Sequence, residues 1–137
     1  MKKSVALILC LVMIFAFASC KKNQQNPDNE NVSQTAEYEE KGSGKNQFYL
    51  DIFFESDEKH YNIKTDEKTV GAALEKLDLI VGEQGDYGLY ISAVEGEEHR
   101  YEQGGKYWAF YSGGQYASKS VDLTEIQNGE TYALKVE

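Results

Sequence analysis

Aromatic side chains crowd one short stretch of this sequence, and they are the residues best suited to contact another molecule. The run from Tyr107 to Tyr111 contains Trp108, the only Trp of the chain, and it lies between Gly104-Gly105 and Gly113-Gly114. Aromatic rings combine a large apolar area with a polar tip, which suits a flat, partly polar ligand or a protein partner. Tyr107, Trp108 and Tyr111 are therefore the first candidate binding residues.

A short aromatic run between glycine pairs is typical of a strand that ends in turns. Because side chains alternate across a strand, Trp108 and Phe110 should share one face, and Tyr107, Ala109 and Tyr111 the other. Ordinary sheet packing also explains such rings, since aromatic residues favour strands. For Trp108 and Phe110 packing in a core is the preferred explanation, whereas for the two tyrosines packing and binding stay open.

Two more tyrosines flank a glycine-punctuated stretch, Gly82 to Gly88, that the pattern predicts to be a loop. Tyr87 and Tyr90 are candidates to line the same edge as the Trp strand. The resulting hypothesis is a soluble ligand held between the Trp strand and the Tyr87 loop.

Residues with other chemistry lack the spacing that would support it. His60 and His99 have no clustered Cys, His or carboxylate neighbours of the kind that hold a metal. Ser112 and Ser118 lack a nucleophile-elbow context. The glycines match no phosphate-cradling loop. The sequence therefore predicts a protein that is not an enzyme, with no catalytic residues, no metal site and no cofactor.

The first 19 residues have the pattern of an export signal. A basic start, Met1-Lys2-Lys3, precedes the apolar run Val5–Phe17, which is shorter than the roughly 20 residues of a spanning helix. Ala18-Ser19-Cys20 resembles the bacterial lipobox, although Phe17 stands where Leu is common. We expect lipidation of Cys20 and an anchor in the cell membrane on its extracytoplasmic face; an ordinary signal peptide with a chance Cys is the alternative.

Cysteine usage and charge narrow the class further. Cys10 leaves with the signal, so the mature chain has no second cysteine for an internal disulfide. Loss of Lys2 and Lys3 leaves 12 basic against 23 acidic residues, a formal charge of −11. Such a charge argues against nucleic acid as a partner, because phosphates need a basic footprint.

Composition divides the mature chain into a polar tether and a domain. Residues 20–46 are rich in Asn, Gln, Glu and Ser, with too few apolar residues to bury, and are predicted to be a lipidated, disordered linker. Residues 47–137 alternate regularly and are predicted to fold as one domain. Periodicity gives an α+β fold with one short helix on a mixed sheet.

The predicted elements follow one another closely. The pattern predicts strands at 47–55 and 60–65, a helix at 69–79 with Thr69 as its N-cap, and strands at 89–94, 107–111 and 130–137. A short return strand is expected at 115–117, a polar connection at 95–105, a helical turn at 123–126 and a tight turn at Asn128-Gly129.

Four segments carry a resemblance to a known family. They are Asp66–Leu74 (DEKTVGAAL), Gly88–Ile91, Lys106–Tyr111 and Val121–Gly129 followed by Glu130. From Tyr61 onward the chain resembles the transcobalamin-like C-terminal domain, an uncharacterised bacterial family similar to the small β-domain of cobalamin carriers. The resemblance implies a β-grasp fold of the soluble-ligand-binding kind. It does not transfer cobalamin as the ligand, since the carriers use a second, helical domain.

Two functions from different classes follow. The first is a membrane-anchored binding module for a soluble ligand, with a corrinoid as one candidate and Tyr87, Tyr90, Tyr107, Trp108 and Tyr111 as contacts. The second is a cell-surface protein–protein interaction or adhesion domain without a small ligand. A concave pocket rimmed by tyrosines favours the first, and an exposed flat apolar patch favours the second. A structural spacer with every large aromatic buried is a third, weaker alternative.

Overall fold

A computed structural model describes residues 36–137, and the predicted signal peptide and Cys20 lie outside this range. The described part is α+β, as predicted, with more residues in strands than in helices. Its elements are β1 (Glu39–Gly42), β2 (Asn46–Phe53), β3 (Glu58–Thr65), α1 (Val70–Lys76), β4 (Ile80–Gly85), β5 (Gly88–Val94), β6 (Glu97–Glu98), α2 (Tyr101–Gly104), β7 (Trp108–Ser112), β8 (Gln115–Tyr116), a 3₁₀ turn (Val121–Leu123) and β9 (Thr131–Val136). No helix within 36–137 is long and apolar enough to cross a bilayer.

β2 and β3 form the predicted antiparallel hairpin, with Phe48 opposite Ile63 and Leu50 opposite Tyr61. The alternating apolar residues of both strands are buried in the core, as the period of two predicts. Ile52 completes the buried row on β2. The hairpin therefore supplies one wall of the core.

α1 covers this wall. Thr69 caps its N-terminus, as predicted, by accepting a hydrogen bond from the main-chain N–H of Ala72. Val70, Ala73 and Leu74 are fully buried in the core that includes the β2–β3 hairpin. The helix is shorter than predicted because Asp78 adopts a left-handed conformation at φ 55°, which ends the helical hydrogen-bond pattern.

The larger sheet has six strands in the order β1-β3-β2-β9-β7-β8. β9 lies between β2, to which it is parallel, and β7, to which it is antiparallel. Tyr132 and Leu134 of β9 point into the core, as the alternation of the last strand predicts. The predicted turn at Asn128-Gly129 is confirmed, with Gly129 at φ 82°.

The glycine-rich stretch from Gly82 to Gly88 is not a loop, contrary to the sequence-based prediction. β4 continues to Gly85, turns at Asp86-Tyr87 and returns as β5. Gly82 lies within β4, where an added Cβ would come within 2.7 Å of Leu89 Cγ. The glycine thus permits close packing within a strand rather than marking a loop. β4, β5 and β6 form a separate three-stranded sheet.

Two connections are more regular than predicted. The polar stretch 95–105 contains β6 and the short helix α2. The helical turn predicted at 123–126 is instead a 3₁₀ turn at Val121–Leu123, whose Val121 is buried in the core. Because Val121 is buried in the core, the turn forms at Val121–Leu123, before the predicted position in the sequence.

The predicted linker boundary at residue 46 is too late. Glu39–Gly42 form β1, which pairs in parallel with β3 at the edge of the six-stranded sheet. Side chains support the pairing, since Lys64 donates to Glu40 at 3.0 Å and the Lys41 ammonium lies 4.7 Å from the Tyr61 ring centroid. An edge strand of polar residues has no apolar alternation, which is why the pattern missed it.

Candidate functional site

A cleft of about 470 Å³ opens between β7 and the β4–β5 hairpin. Its third side is the segment that runs from β8 into the 3₁₀ turn. The lining residues are Gly85–Ile91, Tyr107, Trp108, Phe110 and Tyr116–Val121. The volume is within the range of small-molecule sites, and the wall combines apolar side chains with tyrosine and serine hydroxyls.

Trp108 forms part of the cleft wall while it is packed in the core. Its side chain makes edge contacts with Phe54 and His99, with ring centroids 5.4 and 5.5 Å away, and its Nε1–H donates to the carbonyl of Glu97 at 3.1 Å. Only 5% of the residue is exposed. Trp108 is therefore a core residue, as preferred from the sequence, and it also borders the cleft as a candidate binding residue would.

Four of the five predicted binding residues come together at this cleft: Tyr87, Tyr90, Tyr107 and Trp108. Tyr87 stands at the tip of the β4–β5 turn and is 93% exposed. Tyr90 is held in place because its hydroxyl accepts a hydrogen bond from the main-chain N–H of Tyr101 at 3.2 Å. The rim thus carries one free ring and one fixed ring.

Tyr111 is not brought to the cleft. It shares the opposite sheet face with Lys135, whose ammonium lies 4.5 Å from the Tyr111 ring centroid, and its hydroxyl donates to the carboxylate of Glu137. Tyr107 has the same parity along the strand and lines the cleft, so alternation does not separate the two tyrosines. Tyr111 lies further along β7, where β8 pairs with it through Tyr116.

Tyr107 keeps its proton over the physiological range. The neighbouring Tyr116 hydroxyl, burial and the Glu137 carboxylate raise the pKa of Tyr107 to about 12. The Tyr107 hydroxyl also donates to Oε2 of Glu137 at 3.3 Å. At neutral pH Tyr107 therefore offers the cleft an uncharged hydroxyl group that can donate or accept hydrogen bonds.

Asp122 ties the 3₁₀ turn to β5 behind the cleft. Its Oδ1 accepts hydrogen bonds from the main-chain N–H of Leu89 at 2.9 Å and from the Ser120 hydroxyl at 2.5 Å. Burial raises the pKa of this carboxyl, but the hydrogen bonds from Ser120, Leu89 and Gln84 outweigh burial, so the pKa of Asp122 lies below its ordinary value. Asp122 is charged and positions two sides of the cleft wall.

The charge of the lining is balanced. Asp86 and Lys119 are its two charged residues. The cleft thus differs from the chain as a whole, which carries a formal charge of −9. A neutral ligand suits a wall with one charge of each sign.

Sequence reasoning missed the contribution of residues 116–122 to the site. Tyr116 could have been found, because the Gly113-Gly114 turn folds β8 back onto β7. The network of Asp122, Ser120 and Leu89 had no sequence signal, since it joins segments whose proximity depends on the tertiary fold.

The two histidines each have a carboxylate neighbour, with His60 Nδ1 2.8 Å from Asp51 Oδ1 and His99 Nε2 2.7 Å from Glu97 Oε1.

The fold and the cleft together define an α+β domain with a concave, partly apolar, tyrosine-rimmed surface. The family model described as Domain of unknown function (DUF4430) matches residues 67–137, just over half of the chain. The chain belongs to this family. A comparison with curated proteins finds no match.

Solved structures resemble this one, and two of them are informative. The first is the crystal structure of a "putative metal binding protein" from Ruminococcus gnavus ATCC 29149, 26% identical, with a TM-score of 0.62 over 68% of this chain and 97% of that chain. The second is haptocorrin in complex with Cbi, 19% identical, with a TM-score of 0.56 over 67% of this chain. The similar part makes up only 25% of haptocorrin. Within residues 36–137 no three His, Cys, Asp or Glu side chains come together as a metal-binding group.

Proposed function

We propose that this protein is a lipid-anchored, extracytoplasmic binding module that captures a small neutral ligand in the cleft between β7 and the β4–β5 hairpin. The observation that carries the proposal is the concave site of about 470 Å³ bordered by Tyr87, Tyr90, Tyr107 and Trp108. Aromatic walls with a few polar groups are typical of sites for flat, partly polar molecules. The proposed role is binding without catalysis.

A corrinoid is the proposed ligand. Haptocorrin, which shares the fold, was solved in complex with Cbi, and the sequence resembles the transcobalamin-like C-terminal domain. This resemblance favours a β-grasp fold, in which α1 packs on the mixed sheet. The lone cleft would bind a corrinoid less tightly than a carrier with two domains, since the chain spans about a quarter of haptocorrin. The proposed location rests on the signal pattern and Cys20, which would hold the domain at the outer face of the membrane.

The rival function, a surface for another protein, has support of its own. The outer face of the six-stranded sheet carries Tyr38, Tyr49, Phe53 and Tyr111, which are half-buried. The Lys135 ammonium lies between two of these rings, 5.0 Å from the Phe53 centroid and 4.5 Å from the Tyr111 centroid. The concave site favours the small-ligand function over this flat surface.

Titration of the full chain with cobinamide and cobalamin, followed by the fluorescence of Trp108, tests the proposal. Because Trp108 is the only Trp and borders the cleft, a ligand there should quench or shift its emission. The control is a tryptophan amide solution of equal absorbance, which corrects for light absorbed by the corrinoid. An unchanged corrected emission at millimolar ligand, with the far-UV circular dichroism of a folded chain, would exclude a corrinoid in the cleft.

A further inference from the structure

Two strands that border the cleft, β5 and β7, are each paired over only part of their length on one side. β5 and β7 belong to different sheets, and both contribute residues to the lining. On β7 the main-chain groups of Tyr107 bond to Glu137, at N–O distances of 2.9 and 3.0 Å. Since hydrogen-bonding direction alternates along an antiparallel strand, the N–H and C=O of Trp108 point away from β9.

β8 does not reach Trp108. The β7–β8 pairing covers Tyr111 and Ser112, and one more hydrogen bond joins the Ala117 N–H to the Phe110 carbonyl at 3.0 Å. Among residues 36–137 no hydrogen bond outside the strand ladders uses the main-chain N–H or C=O of Trp108. These two groups therefore border the cleft beyond the end of β8.

The start of β5, across the cleft from Trp108, is likewise unpaired on its side away from β4. The N–H of Leu89 points away from β4, because it donates to Asp122. Ile91 lies two residues further along β5, before the irregularity at Val81/Gly82, so its main-chain groups point in the same direction. Ile91 lines the cleft, and both Ile91 and Trp108 are 5% exposed. Within residues 36–137 no hydrogen bond outside the strand ladders uses the main-chain N–H or C=O of Ile91, and main-chain groups left without partners in so sheltered a place favour a ligand that can satisfy them.

We propose that the cleft recognises neutral carboxamide groups, which hydrogen-bond to the main-chain N–H and C=O of Trp108 and of Ile91. A carboxamide donates and accepts at once, as a strand edge does, whereas a carboxylate only accepts. The balanced pair of Asp86 and Lys119 adds no net charge to the lining. This inference rests on the proposed function, because it names the chemistry of the ligand in the same cleft. Peripheral amides of a corrinoid and the backbone of a short peptide are two sources of this group.

Amide hydrogen exchange of the isotope-labelled full chain, read by NMR, tests the geometry before any ligand is added. The N–H of Trp108 should exchange at least about tenfold faster than those of Tyr107 and Ala109, which bond to β9. Slow exchange at Trp108 in the free protein would overturn the inference, because it would reveal a partner within the chain.

The ligand arm compares cobinamide with cobyrinic acid, the corrinoid that carries carboxylates in place of the carboxamides. Cobinamide should slow exchange at Trp108 and Ile91 and bind at least about tenfold more tightly than cobyrinic acid, a difference that should persist in about 0.5 M salt, where charge repulsion is screened. Cobinamide that binds without protecting these two amides, or that binds no better than cobyrinic acid, overturns the inference and leaves the proposed binding function standing.

A neutral N-acetyl tripeptide amide is the second probe. If cobinamide does not bind, but the peptide amide protects Trp108 and Ile91, the corrinoid proposal fails and the carboxamide inference holds. If neither probe binds to the folded chain, both fail.

Discussion

The main-chain N–H of Leu89 donates to Oδ1 of Asp122 across 2.9 Å, and this bond joins segments 33 positions apart in the sequence. Leu89 begins one wall of the cleft, and Asp122 lies in the 3₁₀ turn that forms another. The same oxygen accepts from Ser120, which lines the cleft. One carboxylate therefore links the two walls.

Substitution of Asp122 should loosen this part of the molecule. Asp122→Ala leaves the Leu89 N–H and the Ser120 hydroxyl without their acceptor, so we expect the free energy of unfolding to fall by about 1–3 kcal/mol. Urea denaturation followed by circular dichroism measures it. Asp86→Ala, which removes the exposed carboxylate of the same lining, is the matched control and should change stability by less than about 0.5 kcal/mol. Equal effects of the two variants would show that Asp122 is not a structural clamp.

Gly88 should be intolerant of any side chain. Its φ is +111°, and an added Cβ would lie 1.8 Å from Ser120 Oγ and 2.8 Å from Asp122 Oδ1. Gly96 also has a positive φ, +83°, but an added Cβ there has nothing within 4 Å. Gly96→Ala therefore measures the backbone strain alone, about 1–2 kcal/mol, and Gly88→Ala should cost at least about 1 kcal/mol more because of the contact. Similar melting temperatures for the two variants would contradict this contact.

Period-two and helical patterns predicted the core well, because burial there depends on local alternation. Phe48, Leu50 and Ile52 are buried because alternation puts them on one face of β2. Thr69 caps the helix that begins directly after it. These features can be predicted from the neighbouring residues in the sequence alone.

The missed features depend on contacts between distant segments. β1 is polar and owes its place to pairing with β3, and Gly82 is part of a strand because Leu89 packs against it. Tyr111 is close in sequence to the cleft tyrosines, yet it lies beside Lys135 on the part of β7 that pairs with β8. Four of the five residues proposed from the sequence line the cleft, but proximity in sequence could not show which part of β7 borders it.

The end of α1 is strained, and a single substitution should relieve it. Asp78 has φ 55° and follows the helix at the position where glycine is favoured. The hydrogen bond from the Leu79 N–H to the Leu74 carbonyl, 2.9 Å, closes the turn. Asp78→Gly should raise the free energy of unfolding by about 0.5–1 kcal/mol, since glycine adopts this conformation without a steric penalty. Asp78→Ala, which keeps a Cβ, is the control; a gain as large as that of glycine would refute the explanation.

Acid should weaken the fold partly through Glu95, which accepts hydrogen bonds from Lys59 and from Tyr61, the latter at 2.5 Å. Burial raises the pKa of Glu95, but these bonds outweigh burial and hold the pKa of Glu95 below its ordinary value. A carboxyl whose pKa is lowered in the folded state stabilises that state at pH values above the pKa of the unfolded chain, about 4.3. This stabilisation is lost as the pH falls through the lower pKa of the folded state.

Denaturation midpoints of the wild type and Glu95→Gln should therefore differ at pH 7 and converge near pH 3. Tyr61→Phe is the matched control, because it keeps the ion pair of Glu95 with Lys59 and should retain most of the pH dependence. If the stability of Glu95→Gln depends on pH as steeply as that of the wild type, other carboxylates cause the pH dependence.

Ligand affinity should respond to the rings at the cleft and not to those on the opposite sheet face. Tyr87 is the most exposed ring of the lining and makes no hydrogen bond through its hydroxyl within residues 36–137, so Tyr87→Ala should leave the fold intact. Loss of its ring should raise the Kd for cobinamide about 5- to 30-fold, the range for one aromatic contact. Tyr49→Ala removes a ring of the outer sheet face, which contacts Tyr38, and serves as the control. Its Kd should equal that of the wild type wherever circular dichroism shows it folded, and an equal loss in the two variants would mean that the ligand does not occupy this cleft.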